Sequence, residues 1–257
     1  MSRNVEEAKR RRNEKLRQTR GRQSLKLLAV VVALIVIAVG GYAIFNSDFW
    51  LIQSITVVGN HRLTSKQVVD LAGVDYKTSL LRLPAAEITA NLKKNPWVSD
   101  VELSRSLPNR LTIQIKEREP FVGLKQGDKV LVLDKTGFVV QSIGTFTTET
   151  SMPVISDIKI GRLKVGARGK GATLSGALKS LSVLAPEIRA KTTWISVLSL
   201  EKLTFQTADG LEIVYGGPED AAKKNFVIKK ILQDPSGKIV HINVTTPDNP
   251  VVRKLKQ

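Results

Sequence analysis

The chain has 257 residues and is strongly basic, with 40 lysines and arginines against 23 aspartates and glutamates and a formal net charge of +17. It contains no cysteine, which excludes both a disulfide framework and a thiolate metal site. Its length is sufficient for one large or two small domains that bury a hydrophobic core.

The first long segment without charge covers residues 27–47 and ends at Asp48. At ~1.5 Å per residue a helix of this length reaches about 30 Å, the thickness of the hydrocarbon core of a bilayer. We therefore expect a transmembrane helix here. A cleaved secretory signal is the alternative, but the apolar run exceeds the ~7 to 15 residues of a signal-peptide core.

The two flanks of this segment differ in charge. Residues 1–26 form a basic arm, and Phe49 and Trp50 follow on the other side. Because positive charge stays on the cytoplasmic side of a membrane, we expect the N-terminus in the cytoplasm and residues 48–257 outside. The arm suits anionic lipid headgroups and lacks the interleaved aromatic residues of a nucleic-acid-binding tail, so we expect no nucleic-acid partner.

The region after the membrane segment, residues 48–119, begins with a strand and a short helix. Residues 52–58 are rich in β-branched side chains, which favour a strand. Thr64 and Gln67 have the spacing of a capping box, and Gly73 is a typical stop signal, so a short helix is predicted between them.

A second helix and two strands complete this region. The helix is predicted to begin at Pro84 and to end at Asn95–Pro96. Apolar and polar residues then alternate over residues 97–103 and 111–115, with a turn at residues 107–110. The predicted order is β-α-α-β-β.

The motifs within this order resemble the POTRA domain of the bacterial cell-division family FtsQ/DivIB. The matching patterns are V-x-G-N, N-P-W-V, V-x-L-x-R-x-x-P and L-x-I-x-I-x-E-R-x-P, at residues 57–60, 95–98, 101–108 and 111–120. The resemblance implies an α+β fold: a transmembrane helix, a POTRA domain over residues 48–119 and the family's distal β domain over residues 120–257.

The distal region supports the same resemblance. It is predicted to be mainly antiparallel, with flanking helices, and residues 161–171 are predicted to be a basic, glycine-rich linker. The hairpin signal at residues 134–137 and the sequence L-T-F-Q-T-A-D-G-L-E-I-V-Y-G-G at residues 203–217 are similar to the family's distal domain.

Fragments of catalytic motifs occur, but in an order that does not fit catalysis. Ser156 and Ser199 each begin an S-x-x-K sequence and Lys135 begins K-T-G. In penicillin-binding proteins the K-T-G follows the serine, whereas here it precedes both serines. His61 and His241 are far apart in sequence and have no partners at ligand spacing. We therefore expect no enzyme, no cofactor and no metal site.

A chain of this kind offers sheet edges to partners, because an edge strand can accept a strand from another protein. The resemblance implies a scaffold of the division complex (the divisome) that binds other single-pass division proteins of the FtsB/DivIC and FtsL type. In the family the terminal strands of the distal domain carry much of that contact. The corresponding candidate residues in this chain are Val240, Ile242, Val244, Thr245, Thr246, Val251, Val252 and Arg253, beside a helix at residues 219–232.

One departure and one alternative accompany this hypothesis. Where some family members have a basic and an aromatic residue after the last long strand, this chain has Thr245–Thr246. The alternative function is that of a POTRA-bearing envelope receptor or chaperone in secretion or outer-membrane assembly. Such proteins usually carry several POTRA repeats or a transmembrane barrel, whereas this sequence predicts one module and one span. The resemblance places the protein in the cell membrane, concentrated at the division septum.

Overall fold

The computed structural model describes residues 28–144, 152–234 and 237–255, so the predicted basic arm lies outside the described residues. Helix α1, Leu28–Phe45, has 18 residues, a mean hydropathy of 2.8 and no buried part. Its length and composition are those of a membrane-crossing helix, as predicted. All of its residues are exposed in the described structure, which suits a helix surrounded by lipid.

The POTRA region has the predicted β-α-α-β-β order. Its three strands form one sheet with the order β1-β3-β2. The central strand, β3, alternates between buried apolar and more exposed polar positions, because successive side chains point to opposite faces of a sheet. The elements are β1 (Ser54–Val58), α2 (Ser65–Ala72), α3 (Ala85–Lys93), β2 (Val98–Ser106) and β3 (Arg110–Glu117).

Helix α2 begins and ends where the sequence predicts. The Thr64 side chain accepts a hydrogen bond from the Gln67 backbone N–H, and the Gln67 side chain accepts one from the Thr64 backbone N–H. Gly73 ends the helix in a left-handed conformation that costs glycine little. Helix α3 begins at Ala85, one residue after the predicted Pro84.

Backbone proximity divides the chain into two units. The first consists of Met1–Thr56, Val74–Pro84 and Ser104–Thr112, and the second of Val57–Gly73, Ala85–Leu103 and Ile113–Gln257.

In the first unit, the segment that follows α1 is fixed by backbone hydrogen bonds to both of the other segments. The Ile52 N–H donates to the Thr78 carbonyl at 3.1 Å, and the Gln53 N–H donates to the Asn109 carbonyl at 2.9 Å. A 3-10 helix, Asp48–Trp50, connects α1 to these contacts.

The second unit contains a sheet of nine strands. Its order is β12-β11-β10-β9-β8-β7-β4-β5-β6. The pairs β4–β7, β7–β8 and β10–β11 are parallel, and the other five pairs are antiparallel. The predicted α+β class with a mainly antiparallel distal sheet is therefore confirmed. The strands are β4 (Val122–Gln126), β5 (Lys129–Leu133), β6 (Val139–Ile143), β7 (Val154–Ser156), β8 (Thr192–Val197), β9 (Leu203–Thr207), β10 (Glu212–Val214), β11 (Ile239–Asn243) and β12 (Val251–Lys254).

Three helices share one hydrophobic core with this sheet. They are α4 (Ala172–Val183), α5 (Pro186–Lys191) and α6 (Ala221–Leu232). Leu181 of α4 and Ile228 of α6 are fully buried in the same cluster as Phe205 and Ile213 of the sheet. The core explains why apolar residues in these helices recur at helical spacing.

The glycine-rich segment at residues 161–171 is bonded to the sheet, contrary to the predicted linker. The Gly166 N–H donates to the Val139 carbonyl at 2.9 Å, and the Val139 N–H donates to the Ala167 carbonyl at 2.8 Å. These bonds satisfy backbone groups on the outer side of β6, which would otherwise be exposed at a sheet edge. Gly166 has a φ angle of +86°, a left-handed conformation that glycine adopts at little cost.

Candidate functional site

Strand β12 is the end of the nine-stranded sheet in the described residues. It pairs with β11 on one side, and the sheet order continues no further on the other. The opposite end of the sheet, β6, differs because residues 166–167 bond to Val139 there. The outer side of β12 is therefore open among the described residues, and an open strand edge is where an added strand can pair.

Two hydrogen bonds fix which backbone groups of β12 point outward. The Leu255 N–H donates to the Lys238 carbonyl, and the Val244 N–H donates to the Val214 carbonyl of the neighbouring segment, each at 2.9 Å. Backbone groups alternate between the two sides of a strand. His241 faces Arg253 in the register of the two strands, so the N–H and C=O groups of Val252 point away from β11.

The structure brings the eight predicted partner-binding residues together on β11, on β12 and in the turn that follows β11. Ile242 and Val244 are fully buried, so their side chains contribute to the core. Val251 is 59% exposed and lies on β12. Val240 and Val252 are half-buried, whereas Thr245, Thr246 and Arg253 are exposed. Partner contact by these residues stays a prediction.

The loop between β11 and β12 is held by side-chain hydrogen bonds. Asn243 Oδ1 accepts from the Thr245 N–H at 3.0 Å and from Thr245 Oγ1 at 2.7 Å. An ion pair between Lys223 of α6 and Asp248 attaches the far part of the loop to the helix. These contacts explain how Thr245, at a position where the family pattern differs, still turns the chain so that β12 returns along β11.

Charged side chains of both signs lie near this edge. Arg253 is exposed, and Lys254 forms an ion pair with Asp234 at 2.8 Å. On β11, His241 Nδ1 lies 2.9 Å from Glu212 Oε2 of β10. The structure places His241 half-buried in a strand, where a cross-strand partner holds it.

The described residues contain no group of three or more His, Cys, Asp or Glu side chains that could hold a metal ion. Ser156 Oγ donates to Asp157 at 2.7 Å, and Ser196 Oγ donates to the same carboxylate at 2.9 Å. These hydrogen bonds lower the pKa of Asp157, so at neutral pH it is an acceptor and not a proton donor. The arrangement is that of a structural hydrogen-bond group.

Sequence reasoning missed an ion pair close to the end of β3. Arg118 Nη1 lies 2.7 Å from Asp134 Oδ2, and the two side chains are 13% and 7% exposed. The Arg118 guanidinium also stacks on the Phe138 ring, 3.8 Å from its centroid. Asp134 Oδ1 accepts from the Thr136 and Phe138 N–H groups at 2.8 and 3.0 Å. The hairpin signal at residues 134–137 predicts the position of the Asp134 carboxylate, but it does not indicate that Arg118 pairs with it.

Burial raises the pKa of Asp134, but the hydrogen bonds from Thr136, Phe138 and Arg118 outweigh burial and hold the pKa below its ordinary value. Glu117, next to Arg118, also has a pKa below its ordinary value. Its carboxylate accepts from the Arg62 and Leu63 N–H groups at 2.8 and 2.9 Å, and these bonds lower its pKa despite partial burial. Both carboxylates are ionised structural acceptors at neutral pH.

Sequence reasoning also missed a groove between α5 and α6. It has a volume of about 790 Å³, and Phe226 and Leu232 line it. Phe226 is 61% exposed and Leu232 is 42% exposed, although both lie in an amphipathic helix.

Comparison with known proteins agrees with the geometry. A family model described as the POTRA domain, FtsQ-type, matches residues 51–118. The chain is 29% identical over 245 residues to the cell division protein FtsQ of Geotalea daltonii, covering 90% of this chain and 88% of that protein. It is 26% identical over 237 residues to FtsQ of Corynebacterium glutamicum, covering 89% of this chain and 99% of that protein.

The chain is thus similar to cell division proteins of the FtsQ type over most of its length. FtsQ of Streptomyces venezuelae is a further relative, 26% identical over 251 residues, with coverage of 93% of this chain and 86% of that protein. A solved structure of the major extracytoplasmic domain of DivIB from Geobacillus stearothermophilus is 18% identical, covers 47% of this chain and 91% of that chain, and gives a TM-score of 0.31.

This similarity supports a role in cell division. Together with helix α1, it fits a membrane-anchored division protein with a POTRA domain. The relatives named above are all cell division proteins, and their similarity extends over nearly the full length of this chain. This favours a role in division over the alternative role in secretion or outer-membrane assembly.

Proposed function

We propose that this chain is a non-enzymatic scaffold of the bacterial division complex and that it binds a strand of another single-pass division protein at β12. The expected partners are proteins of the FtsB/DivIC and FtsL type. The observation that carries the proposal is the outward orientation of the Val252 backbone at the open end of the nine-stranded sheet. The POTRA domain is expected to help recruit partners.

Strand addition suits this edge in both backbone and charge. An incoming strand would pair with the outward N–H and C=O of Val252, while its alternate side chains contact the two faces of the sheet. The exposed Val251 side chain offers an apolar contact on one face. Lys238 and Arg253 favour a partner segment that carries acidic residues, because complementary charge increases both the association rate and the specificity.

The test compares two substitutions at one position. Val252→Pro removes the outward N–H, and an edge strand tolerates proline where its N–H faces away from the sheet. Val252→Ala keeps the N–H and shortens the side chain. We expect Val252→Pro to weaken co-purification of a tagged FtsB/DivIC-type partner about tenfold, as expected for a lost main-chain hydrogen bond in an interface, with little change for Val252→Ala.

Equal binding by both variants and the unchanged chain would reject β12 as the binding edge. The thermal unfolding midpoint of each variant is measured in parallel, because a lowered midpoint for Val252→Pro would trace its weaker binding to damage in β11–β12 pairing and overturn the strand-addition explanation.

The proposed orientation places the N-terminus in the cytoplasm and the folded region outside. Because the chain contains no cysteine, a single introduced cysteine is the only thiol. We expect an impermeant thiol reagent on intact cells to label Val165→Cys, at an exposed residue, and not Ser2→Cys. The reverse labelling pattern would contradict this orientation.

The non-enzymatic part of the proposal rests on the absence of a catalytic group arrangement among the described residues. Alanine variants of Ser156, Ser199, His61 and His241 should each support division in cells that lack the unchanged protein. Loss of division with any one of these variants, at normal protein level and thermal stability, would revive the enzyme hypothesis.

A further inference from the structure

The end of helix α1 lies next to a group of exposed basic and apolar side chains. The Arg82 guanidinium lies 5.7 Å from the centre of the Phe45 ring, which belongs to the last residue of α1. The Trp50 indole N–H donates to the Ile44 carbonyl at 2.8 Å, and so fixes the direction in which the chain leaves the helix. Arg82 is therefore placed where a bilayer's hydrocarbon gives way to headgroups.

Backbone contacts bring two further segments of the first unit to the same place. The Ile52 N–H bonds to the Thr78 carbonyl, and the Ser54 N–H bonds to the Asn109 carbonyl at 3.4 Å. Arg105 Nη2 donates to the Leu83 carbonyl at 3.2 Å, which joins the β2–β3 hairpin to the segment that carries Arg82. The tip of the hairpin and the segment 74–84 therefore converge within a few residues of α1.

The side chains of these segments have the composition of a membrane interface. Leu107 at the hairpin tip is 61% exposed, and Tyr76 is 55% exposed. Tyrosine and tryptophan are enriched at the boundary between hydrocarbon and water, and arginine and lysine extend from it to the phosphates. Two carboxylates, Asp48 and Asp75, also lie in these segments, and Asp75 Oδ1 accepts from the Lys77 N–H at 3.2 Å.

We propose that this surface, here called the basic collar, binds anionic phospholipid headgroups of the leaflet at the C-terminal end of α1. The basic collar consists of Tyr76, Lys77, Arg82, Arg105, Leu107 and Arg110. Its four cations outnumber the two nearby carboxylates, and anionic headgroups attract each cation close to the surface. Leu107 enters the headgroup region and holds the POTRA end of the first unit against the membrane. The proposal requires only that α1 spans a membrane, in either orientation, and does not depend on partner binding at β12.

The experiment uses the full chain in nanodiscs. Leu107→Cys supplies a single thiol for an environment-sensitive fluorophore, and nitroxide-labelled lipid quenches that fluorophore on contact. Nanodiscs contain either phosphatidylcholine alone or phosphatidylcholine mixed with phosphatidylglycerol. We expect quenching about twofold stronger with phosphatidylglycerol, and a loss of this difference at high salt, where charges are screened.

Two pairs of substitutions separate the collar from net charge. Arg82→Gln with Arg110→Gln removes two collar cations and should abolish the response to phosphatidylglycerol. Lys164→Gln with Lys170→Gln removes the same charge from two exposed lysines outside the collar and should leave the response intact. Equal effects of the two pairs of substitutions would contradict headgroup binding by the basic collar. So would a fluorophore that is not quenched in either lipid, or one that is quenched equally in both.

Discussion

At the scale of single residues, the Asp134 carboxylate performs several structural tasks at once. It caps the turn after β5 through the Thr136 and Phe138 N–H groups and pairs with Arg118 at the end of the POTRA region. Because both partners of the ion pair are largely buried, removal of one leaves the other charge without compensation. The pair therefore stabilises the chain at the position where the sequence divides it into two domains.

The first prediction concerns the charge of Asp134. Asp134→Asn keeps the side-chain shape but leaves the Arg118 cation in a buried position without its anion. We expect a loss of about 3 kcal/mol in the free energy of unfolding, measured by urea denaturation of the detergent-solubilised chain. Asp128→Asn, at an exposed residue in the β4–β5 turn, is the matched control and should change stability by less than about 0.5 kcal/mol. Equal stability of the two variants would contradict a structural role for the ion pair.

A second prediction follows from the lowered pKa of Asp134. A carboxyl group with a folded-state pKa below its unfolded-state pKa contributes stability that is fully present above the unfolded-state pKa and is lost as the pH falls through the folded-state pKa. The stability difference between the unchanged chain and Asp134→Asn should thus be constant near neutral pH and shrink below a pH of about 4. Other titrating carboxylates contribute equally to both proteins and cancel in the difference. A difference that grows on acidification would have the wrong sign for this account.

At the scale of elements, local sequence signals identified most helices and strands. The capping box at Thr64 and Gln67 forms as predicted. What the sequence did not give is the order of the nine strands. The parallel pairs β4–β7 and β10–β11 join segments that are distant in sequence. Alternation of apolar residues along a strand does not indicate which other strands lie beside it in the sheet.

A third prediction concerns Gly59, which ends β1. Its φ angle is +82°, and a Cβ atom there would lie 2.2 Å from the Ile115 carbonyl oxygen of β3. Gly59→Ala should therefore cost at least about 3 kcal/mol of unfolding free energy, from both backbone strain and the clash. Gly210 has nearly the same φ, +84°, with open space around it, so Gly210→Ala isolates the backbone part and should cost about 1 kcal/mol. Similar losses for the two alanines would mean that the contact with Ile115 carries no energy.

The candidate site shows the same division between local and long-range information. Family resemblance located Val251, Val252 and Arg253 on the terminal strand, and the structure places all three on β12. Which backbone groups of β12 are available depends on its register with β11, including a bulge between Ile239 and His241. A bulge of this kind has no signal in the local sequence, so the outward position of Val252 could not be predicted.

At the scale of the whole molecule, each part of the chain has a separate task. Helix α1 has the length and composition of a membrane anchor, residues 51–118 match an FtsQ-type POTRA domain, and the nine-stranded sheet carries the proposed partner edge. Binding at a sheet edge needs few special side chains, which explains why sequence alone located the strand but not its contacts.

The central claim is that this chain works in cell division through the β12 edge. The most direct measurement follows fluorescent fusions at the N-terminus, of the unchanged chain, Val252→Ala and Val252→Pro, in cells depleted of the native protein. We expect midcell bands and normal division with the first two, and filamentous cells with Val252→Pro at equal protein level. An even peripheral signal of the unchanged fusion, together with normal division of depleted cells that carry no fusion, would contradict the division role. Full rescue by Val252→Pro would contradict the role of the β12 edge.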